Sequence, residues 1–305
     1  GKESCVITPT LCGWHNSSSD RLKVQPSKVS AEPPARFPTA IVARSDRELL
    51  QLAIRAHLHQ PAIALWRATE FVMLREVTFG APVLDLGCGN GTVANALLRS
   101  HWPVDGLELV SNEARAAHAT GVYRAVVRAD GTRSPSIGGA YGAVFSQSVL
   151  EHIPDDVSVV REACRLLAPG GRLVFTVPSP AFAERIRSRP GGEAELLETN
   201  RRLGHYHYSS LEEWKSLLDS FGLIVAQTDG HLPARTQRAW YVLDGLMTRR
   251  LGRRRVLDIF NSMHRRGLIL GPSWVAAWTA ILWRPFRRSV DEPGGYLIVA
   301  DAPSP

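Results

Sequence analysis

One nine-residue run constrains this chain more than any other feature: Val83-Leu84-Asp85-Leu86-Gly87-Cys88-Gly89-Asn90-Gly91. A short apolar stretch suited to a buried strand ends in three glycines at alternate positions. A helix-compatible segment, Thr92 to Ser100, follows. Glycine lets the backbone turn tightly and lets a ligand approach it closely. A dinucleotide fingerprint GxGxxG would need glycine at 92, where Thr92 stands, so a pyrophosphate cradle is the weaker reading.

The residues downstream repeat the strand–helix alternation of a parallel sheet. Pro82 to Leu86, Val104 to Leu109, Tyr123 to Arg128, Gly142 to Ser146, Arg172 to Val177 and Leu223 to Thr228 read as six strands, and Tyr296 to Ala300 as a seventh. Helices are expected over Asn112 to Ala119 and Pro154 to Leu167, the latter stopped by Pro169-Gly170-Gly171. Another starts at the capping box Ser210-Leu211-Glu212-Glu213. Upstream, Ser45-Asp46-Arg47-Glu48 is also a capping box. It opens a helix that Pro61 ends, and a second helix spans Ala62 to Glu76.

Four parts are expected. Residues 1–43 are a Ser/Pro/Thr-rich flexible tail. Residues 44–229 are the core with its N-terminal helices, 230–294 a helical, basic and apolar insertion, and 295–305 the final strand and C-terminal end. The insertion carries Arg249-Arg250-Leu251-Gly252-Arg253-Arg254-Arg255. After it comes an apolar stretch, Leu268 to Trp283, interrupted by Pro272 and flanked by Arg265, Arg266, Arg284, Arg287 and Arg288. That stretch is shorter than the ~20 residues of a spanning helix. Its tryptophans at 274, 278 and 283 fit either an in-plane interfacial segment meeting an anionic membrane or a helical lid packed on the core.

The motif order resembles the class I S-adenosylmethionine-dependent methyltransferases, of the bacterial small-molecule and glycan type, from Ala81 to Thr228 and again at Tyr296. The resemblance implies an α/β fold: a doubly wound, seven-stranded, mostly parallel, Rossmann-like sheet with a helical insertion between the last two strands. It implies S-adenosyl-L-methionine as cofactor. By the same resemblance Asp85 orders the loop or meets the cofactor's amino group. Gly87, Cys88, Gly89, Asn90 and Gly91 shape the wall around its methionine and ribose portions. Glu108, 17 residues beyond Gly91, accepts the two ribose hydroxyls. Asp130, with Gly131, faces the adenine amine, and Gln147 flanks the methionine side. Plain structural readings stand beside these: a turn or cap residue for Asp85 and Asp130, a surface acid for Glu108.

Transfer of an activated methyl depends mostly on positioning, so no catalytic triad is required, and none is found. His152, in Leu150-Glu151-His152, is the first candidate base, with His205 beside it as a second catalytic candidate. His207 and Tyr208 are substrate-side candidates. Packing roles for these histidines are the alternative. No metal site is expected, because the pair at 205 and 207 would need a further ligand. In this fold the sixth strand ends, and the seventh begins, on the ligand face. The 65 residues between 230 and 294 should therefore emerge above the site as a lid.

The formal charge of +7 favours anionic partners. The expected acceptor is a small molecule, a glycan or a lipid-linked compound, methylated by direct in-line displacement at O, N or C. An anionic membrane surface could be met through residues 249–288. An RNA methyltransferase is the first alternative. It is disfavoured because no Asn-Pro-Pro-Tyr-like run follows the fourth strand, where Ser146-Gln147-Ser148-Val149 stands. A non-catalytic membrane-surface protein on the same scaffold and a nicotinamide oxidoreductase are the others. Cys5, Cys12, Cys88 and Cys164 make no CxxC pair, and no signal peptide is evident. A reduced, cytoplasmic protein, peripheral at most at the inner face of the membrane, is expected.

Overall fold

The computed structural model describes residues 44–268, 271–286 and 292–304, so the expected N-terminal tail, Arg287 and Arg288 lie outside the described residues. Helix α1 (Asp46–Ala56) starts where the capping box places it. Ser45 Oγ accepts from the Glu48 amide, and the Glu48 carboxylate accepts from the Ser45 amide. Leu49, Leu50, Ala53 and Ile54 form its buried stripe. Helix α2 (Pro61–Leu74) begins on Pro61, whose missing amide hydrogen costs nothing in a first turn. Its residues are buried almost all round, as expected of a helix covered on more than one side.

The sheet comprises β1 (Val83–Leu86), β2 (Val104–Glu108), β3 (Ala125–Arg128), β4 (Tyr141–Gln147), β5 (Leu167–Pro178), β6 (Ile224–His231) and a last strand, β9 (Gly295–Asp301). Their order is β3-β2-β1-β4-β5-β9-β6, and β9 alone runs antiparallel to its neighbours. Helices α3 (Thr92–Leu97), α4 (Ser111–Ala119), α5 (Asp156–Leu166) and α8 (Leu211–Ser220) connect the strands. Successive strand residues alternate between two apolar clusters. Val83, Phe145 and Val174 join one with α1 and α2. Leu84, Val144 and Phe175 join the other with α5 and α8. Burial on both faces is why these strands read as continuous apolar runs.

Between β5 and α8, the stretch from Pro178 to Tyr208 is not a plain loop. It contains α6 (Pro180–Arg187) and α7 (Gly192–Leu203). Gly191 and Gly204, both in the left-handed region, bracket α7, and its many charged residues hide a short buried stripe of Leu196, Thr199 and Leu203.

Strand β6 runs on to His231, so Gly230 and His231, assigned to the insertion, belong to the sheet. The insertion then forms α9 (Ala234–Thr248), a hairpin of β7 (Arg250–Leu251) and β8 (Arg254–Arg255), α10 (Val256–Arg265) and α11 (Pro272–Phe286). Pro272 was expected to interrupt the apolar stretch. It instead starts α11, at the position where proline is tolerated. Helix α9 packs on α2, and α11 packs on both α1 and α2. Trp240, Val275, Leu282 and Phe286 join the first apolar cluster. The Trp274 indole N–H donates to the Leu58 carbonyl at 2.9 Å, and Trp278 and Trp283 lie partly buried against the same cluster. The tryptophans of this segment therefore face the protein. Among the described residues, no helix is long and apolar enough to cross a membrane.

Candidate active site

Two groups of residues meet at the carboxyl end of the parallel strands. The first surrounds the glycine turn after β1. Gly87, Gly89 and Gly91 all have positive φ (75°, 53° and 76°), which explains glycine at each. Their surroundings differ. A Cβ on Gly87 would stand 2.5 Å from Val149, and one on Gly91 would stand 3.0 Å from Tyr123 and Thr120 side-chain carbons. A Cβ on Gly89 would meet nothing within 4 Å. Gly87 and Gly91 thus allow close packing inside the protein, and Gly89 presents bare backbone to open space. Cys88 is buried, with its sulfur against Gly106, while Asn90 is exposed and accepts from the Thr92 amide at the start of α3.

Glu108 ends β2 and is 5% exposed. One carboxylate oxygen accepts from the Gly89 amide at 2.9 Å and the other from the Val110 amide at 2.8 Å. A carboxylate has about four acceptor sites. Two remain, enough for a pair of neighbouring hydroxyls. Burial raises its pKa, against the two backbone donors. Asp85 is buried inside β1, one residue before its end, and accepts from the Tyr123 hydroxyl at 2.7 Å. Burial, with the nearby Glu108, pushes it up to about 7. Tyr123 went unnoticed in the sequence, where it read as the first residue of β3; the strand starts only at Ala125. Asp130 is exposed, and its Oδ1 accepts from the amide and hydroxyl of Thr132, a local turn that holds Gly131 over Leu86.

The second group lies beyond β4. Glu70, on α2, is fully buried and gathers four donors. Arg67 Nη1 and Gln147 Nε2 donate to one oxygen; the hydroxyls of Ser148 and Thr176 donate to the other. Burial alone would raise its pKa. Arg67, His231 and the Ser148 bond outweigh that and hold it down at about 2. Gln147 is thereby committed to Glu70. Ser148 adopts a positive φ of 50° at the strand end, a conformation that Glu70 and two bonds to Thr176 fix. Glu70 carried no signal in the sequence, because an acid inside an amphipathic helix looks like part of its polar face.

The chain then makes a 3-10 turn, Leu150–His152, that points Glu151 and His152 inward. The segment after α7 is pinned to this turn. The Tyr206 amide donates to the Glu151 carbonyl at 2.8 Å, and His207 Nε2 donates to the Ile153 carbonyl at 2.6 Å. His207 thus serves as a tether, not as a cleft wall. Tyr208 stacks on Phe182 and bonds His205, behind the cleft surface. The tethers bring the His205 and His152 rings to 5.0 Å. Burial lowers the pKa of His152 to about 4 and that of His205 well below its usual value, so both imidazoles are neutral at physiological pH.

These residues line a narrow, half-open cleft with about 60 Å3 of solvent-accessible space. Ile63 and Trp66 of α2, Leu203 of α7 and Trp240 of α9 supply apolar walls; Ser148, Glu151, His152 and His205 supply polar ones. Trp66 and Trp240 meet edge to face at 5.6 Å. Asp244, held by Arg202, closes one side. The insertion therefore contributes directly to the cleft.

Residues 57–228, more than half of the chain, match a family described as a methyltransferase domain. The chain is 37% identical over 106 residues to the ubiquinone biosynthesis O-methyltransferase of Sodalis glossinidius, covering 32% of this chain and 41% of that one. It is 31% identical over 149 residues to the 27-O-demethylrifamycin SV methyltransferase of Amycolatopsis mediterranei, covering 44% and 54%. The match therefore spans about half the length of these relatives. Among solved structures, phosphoethanolamine N-methyltransferase 2 of Haemonchus contortus, in complex with S-adenosyl-L-methionine, aligns with TM-score 0.52 at 16% identity, over 86% of this chain and 61% of that one; at that identity the likeness is one of fold. The strand order, the open backbone at Gly89, the carboxylates of Asp85 and Glu108 and the family match converge: the chain belongs to the class I S-adenosylmethionine-dependent methyltransferases.

Proposed function

We propose that this methyltransferase acts on a hydroxyl oxygen of an apolar, ring-bearing small molecule seated in the cleft between α2, α7 and α9. The observation that carries the reading is the cleft's make-up: two tryptophans and aliphatic walls around a small set of histidine and acid groups. The names of the two curated relatives, each of which specifies an oxygen, support a hydroxyl acceptor.

When bound, S-adenosylmethionine supplies a methyl group already activated on sulfonium sulfur. Glu108 would hold its ribose hydroxyls on the two acceptor sites left free, Gly89 would give close backbone approach, and Asp85 would face its amino group. Cys88, Asn90 and Gly91 set the turn around it. Asp130 and Gly131 would border the adenine. Gln147, fixed by Glu70, would border the methionine side. On the acceptor side, Trp66 and Trp240 exclude water and take a ring face. His152 presents a bare Nε2, because Nδ1 must carry the proton it donates to the Gly204 carbonyl at 3.2 Å. That lone pair accepts the hydroxyl's hydrogen bond and orients it. With its pKa near 4, His152 is better suited to orient than to deprotonate.

Calorimetric titration of S-adenosylmethionine and S-adenosylhomocysteine into wild type and Glu108→Ala tests the cofactor half. Micromolar-range binding that collapses in the variant is expected. Transfer of labelled methyl to a panel of phenols, sugars and lipid-linked alcohols tests the acceptor half. Label on a phenolic oxygen, reduced about 100-fold in His152→Ala through lost positioning, is the expected result. Cofactor binding with label only on sugar or nitrogen acceptors would overturn it.

We also propose that the insertion touches an anionic membrane surface, which would suit a lipid-linked acceptor. The part of residues 249–288 that supports this is the hairpin, where Arg249, Arg250, Arg253 and Arg254 are exposed around an exposed Leu251.

A further inference from the structure

Glu151 is 2% exposed, and neither of its carboxylate oxygens has a hydrogen-bond partner. A buried carboxylate without donors or a counter-charge is costly. The cations near it are already engaged. Arg67 bonds Glu70, and Arg202 bonds Asp244 through both terminal nitrogens. What Glu151 faces instead is a pair of imidazoles.

The state of those imidazoles follows from their bonds. His152 Nδ1 meets the Gly204 carbonyl, an acceptor only, so Nδ1 carries the hydrogen and Nε2 is a lone pair. The Tyr208 hydroxyl spends its single hydrogen on Asn200 Oδ1 at 2.6 Å, so it accepts from His205 Nδ1 at 3.0 Å. His205 Nε2 is then a lone pair as well. Both rings have one nitrogen fixed by a backbone carbonyl or hydroxyl and the other left bare, the arrangement of metal-bound histidine. His152 Nε2 lies 3.9 Å from Glu151 Oε1, and the donor atoms of all three residues lie within 4.8 Å of one another.

We infer that Glu151, His152 and His205 form a binding site for one divalent transition-metal cation at the floor of the acceptor cleft. Three lone-pair donors, two nitrogen and one oxygen, suit Zn2+, Co2+, Mn2+ or Fe2+ better than the all-oxygen preference of Mg2+ or Ca2+. Donors in a tetrahedral site with bonds of about 2.1 Å sit ~3.4 Å apart, so small side-chain rotations close the cluster onto an ion. The sequence concealed the set, because Glu151 and His152 adjoin in a turn while His205 arrives from the far end of α7.

The inference rests on reading the cleft as the acceptor site, and it narrows the acceptor. Three protein ligands leave coordination positions open toward the cleft. They would take two neighbouring oxygens, as in a vicinal diol of an aromatic ring or a hydroxyl beside a carbonyl. On the cation, the acceptor O–H breaks, its proton passes to water at the mouth, and oxygen keeps the electron pair. The oxygen pair would then form the new C–O bond as the methyl C–S bond breaks, with the C–S bonding pair leaving on sulfur. His152 is in this case a ligand, and the ion supplies the activation that a weakly basic histidine lacks.

The full chain, stripped with EDTA, is titrated with Co2+ followed by visible absorption and with Zn2+ by calorimetry. Glu151→Gln and His205→Asn are run in parallel, and S-adenosylmethionine titration shows that each variant is folded. One equivalent of Co2+ with a visible band of nitrogen–oxygen ligation is expected, weakened at least about 10-fold in each variant. Absence of saturable binding in the wild type, or equal binding in both variants, overturns the site. Methyl transfer undiminished in EDTA also overturns it while the acceptor reading stands. Loss of cofactor binding in the wild type would instead sink the proposed function.

Discussion

Three glycines follow β1, and their substitution should separate structure from ligand binding. Gly87→Ala puts a Cβ 2.5 Å from the buried Val149 at positive φ. Left-handed strain and overpacking together should cost about 2–4 kcal/mol, read as a lowered midpoint in denaturant. Gly89→Ala meets no neighbour and should lose only about 1 kcal/mol from its φ of 53°, yet it should weaken S-adenosylmethionine binding more than Gly87→Ala does in whatever protein remains folded. Equal affinities for the two would show that Gly89 is not the approach surface. Glu70 makes a second test. Glu70→Ala strands Arg67, Gln147, Ser148 and Thr176 in a buried site, and about 3–5 kcal/mol of stability should go with it. Because the folded-state pKa lies below the ordinary carboxylate value, Glu70's contribution is present above pH 4.5 and lost as pH falls toward 2. A variant with wild-type stability would show that water replaces the carboxylate without loss.

Elements were legible in the sequence to the degree that one local rule governed them. The seven strands and the capping boxes at Ser45 and Ser210 needed only apolar runs and short-range bonds, and they stand where the pattern put them, to within a few residues. Helices α6 and α7 escaped because α6 spans only eight residues, too few to set a period, and Glu and Arg dominate the exposed face of α7. The glycine motif and Glu108 were readable because both belong to one strand–turn–helix–strand unit, β1 to β2. The cleft was not, since its walls come from α2, the turn after β4, α7 and α9, and no spacing encodes such a meeting. The insertion's two candidate partners also divide by element. Helix α11 turns its tryptophans toward α1, whereas the hairpin exposes arginines and Leu251. Arg250→Glu/Arg254→Glu should therefore abolish cosedimentation with vesicles rich in phosphatidylglycerol, at ~1 kcal/mol for each arginine removed, and leave cofactor affinity unchanged. Cosedimentation at the wild-type level would remove the membrane contact from the hairpin.

Across the whole molecule, buried titratable groups oppose one another, and their balance sets where the fold is most stable. Burial, then Arg67, lowers His57 to about 3; burial, then His264, lowers His59 to about 4; burial lowers His231 to about 4. The unfolded chain protonates these histidines below its ordinary value of 6.5 and the folded chain does not. Their contribution is complete above pH 6.5 and is lost as pH falls. Asp85 works in the other direction. Its folded pKa of about 7 exceeds the model-peptide value, so the stability it lends is complete below the unfolded value near 4 and is lost as pH rises through 7. Glu151 works like Asp85, raised by burial to about 8, and His152, lowered by burial to about 4, joins the other histidines. Between pH 4.5 and 6.5 the four histidines outweigh the two acids, and stability should climb with pH. Above 6.5 the histidine contributions are constant while Asp85, up to about pH 7, and Glu151, up to about pH 8, should pull stability down, so denaturant midpoints of the metal- and cofactor-free protein should peak near pH 6.5. In Asp85→Asn/Glu151→Gln the decline on the alkaline side of that peak should flatten and the climb on the acid side should steepen. An alkaline decline that survives in the double variant would place its cause in another group and remove the buried, protonated Asp85 and Glu151 from the account.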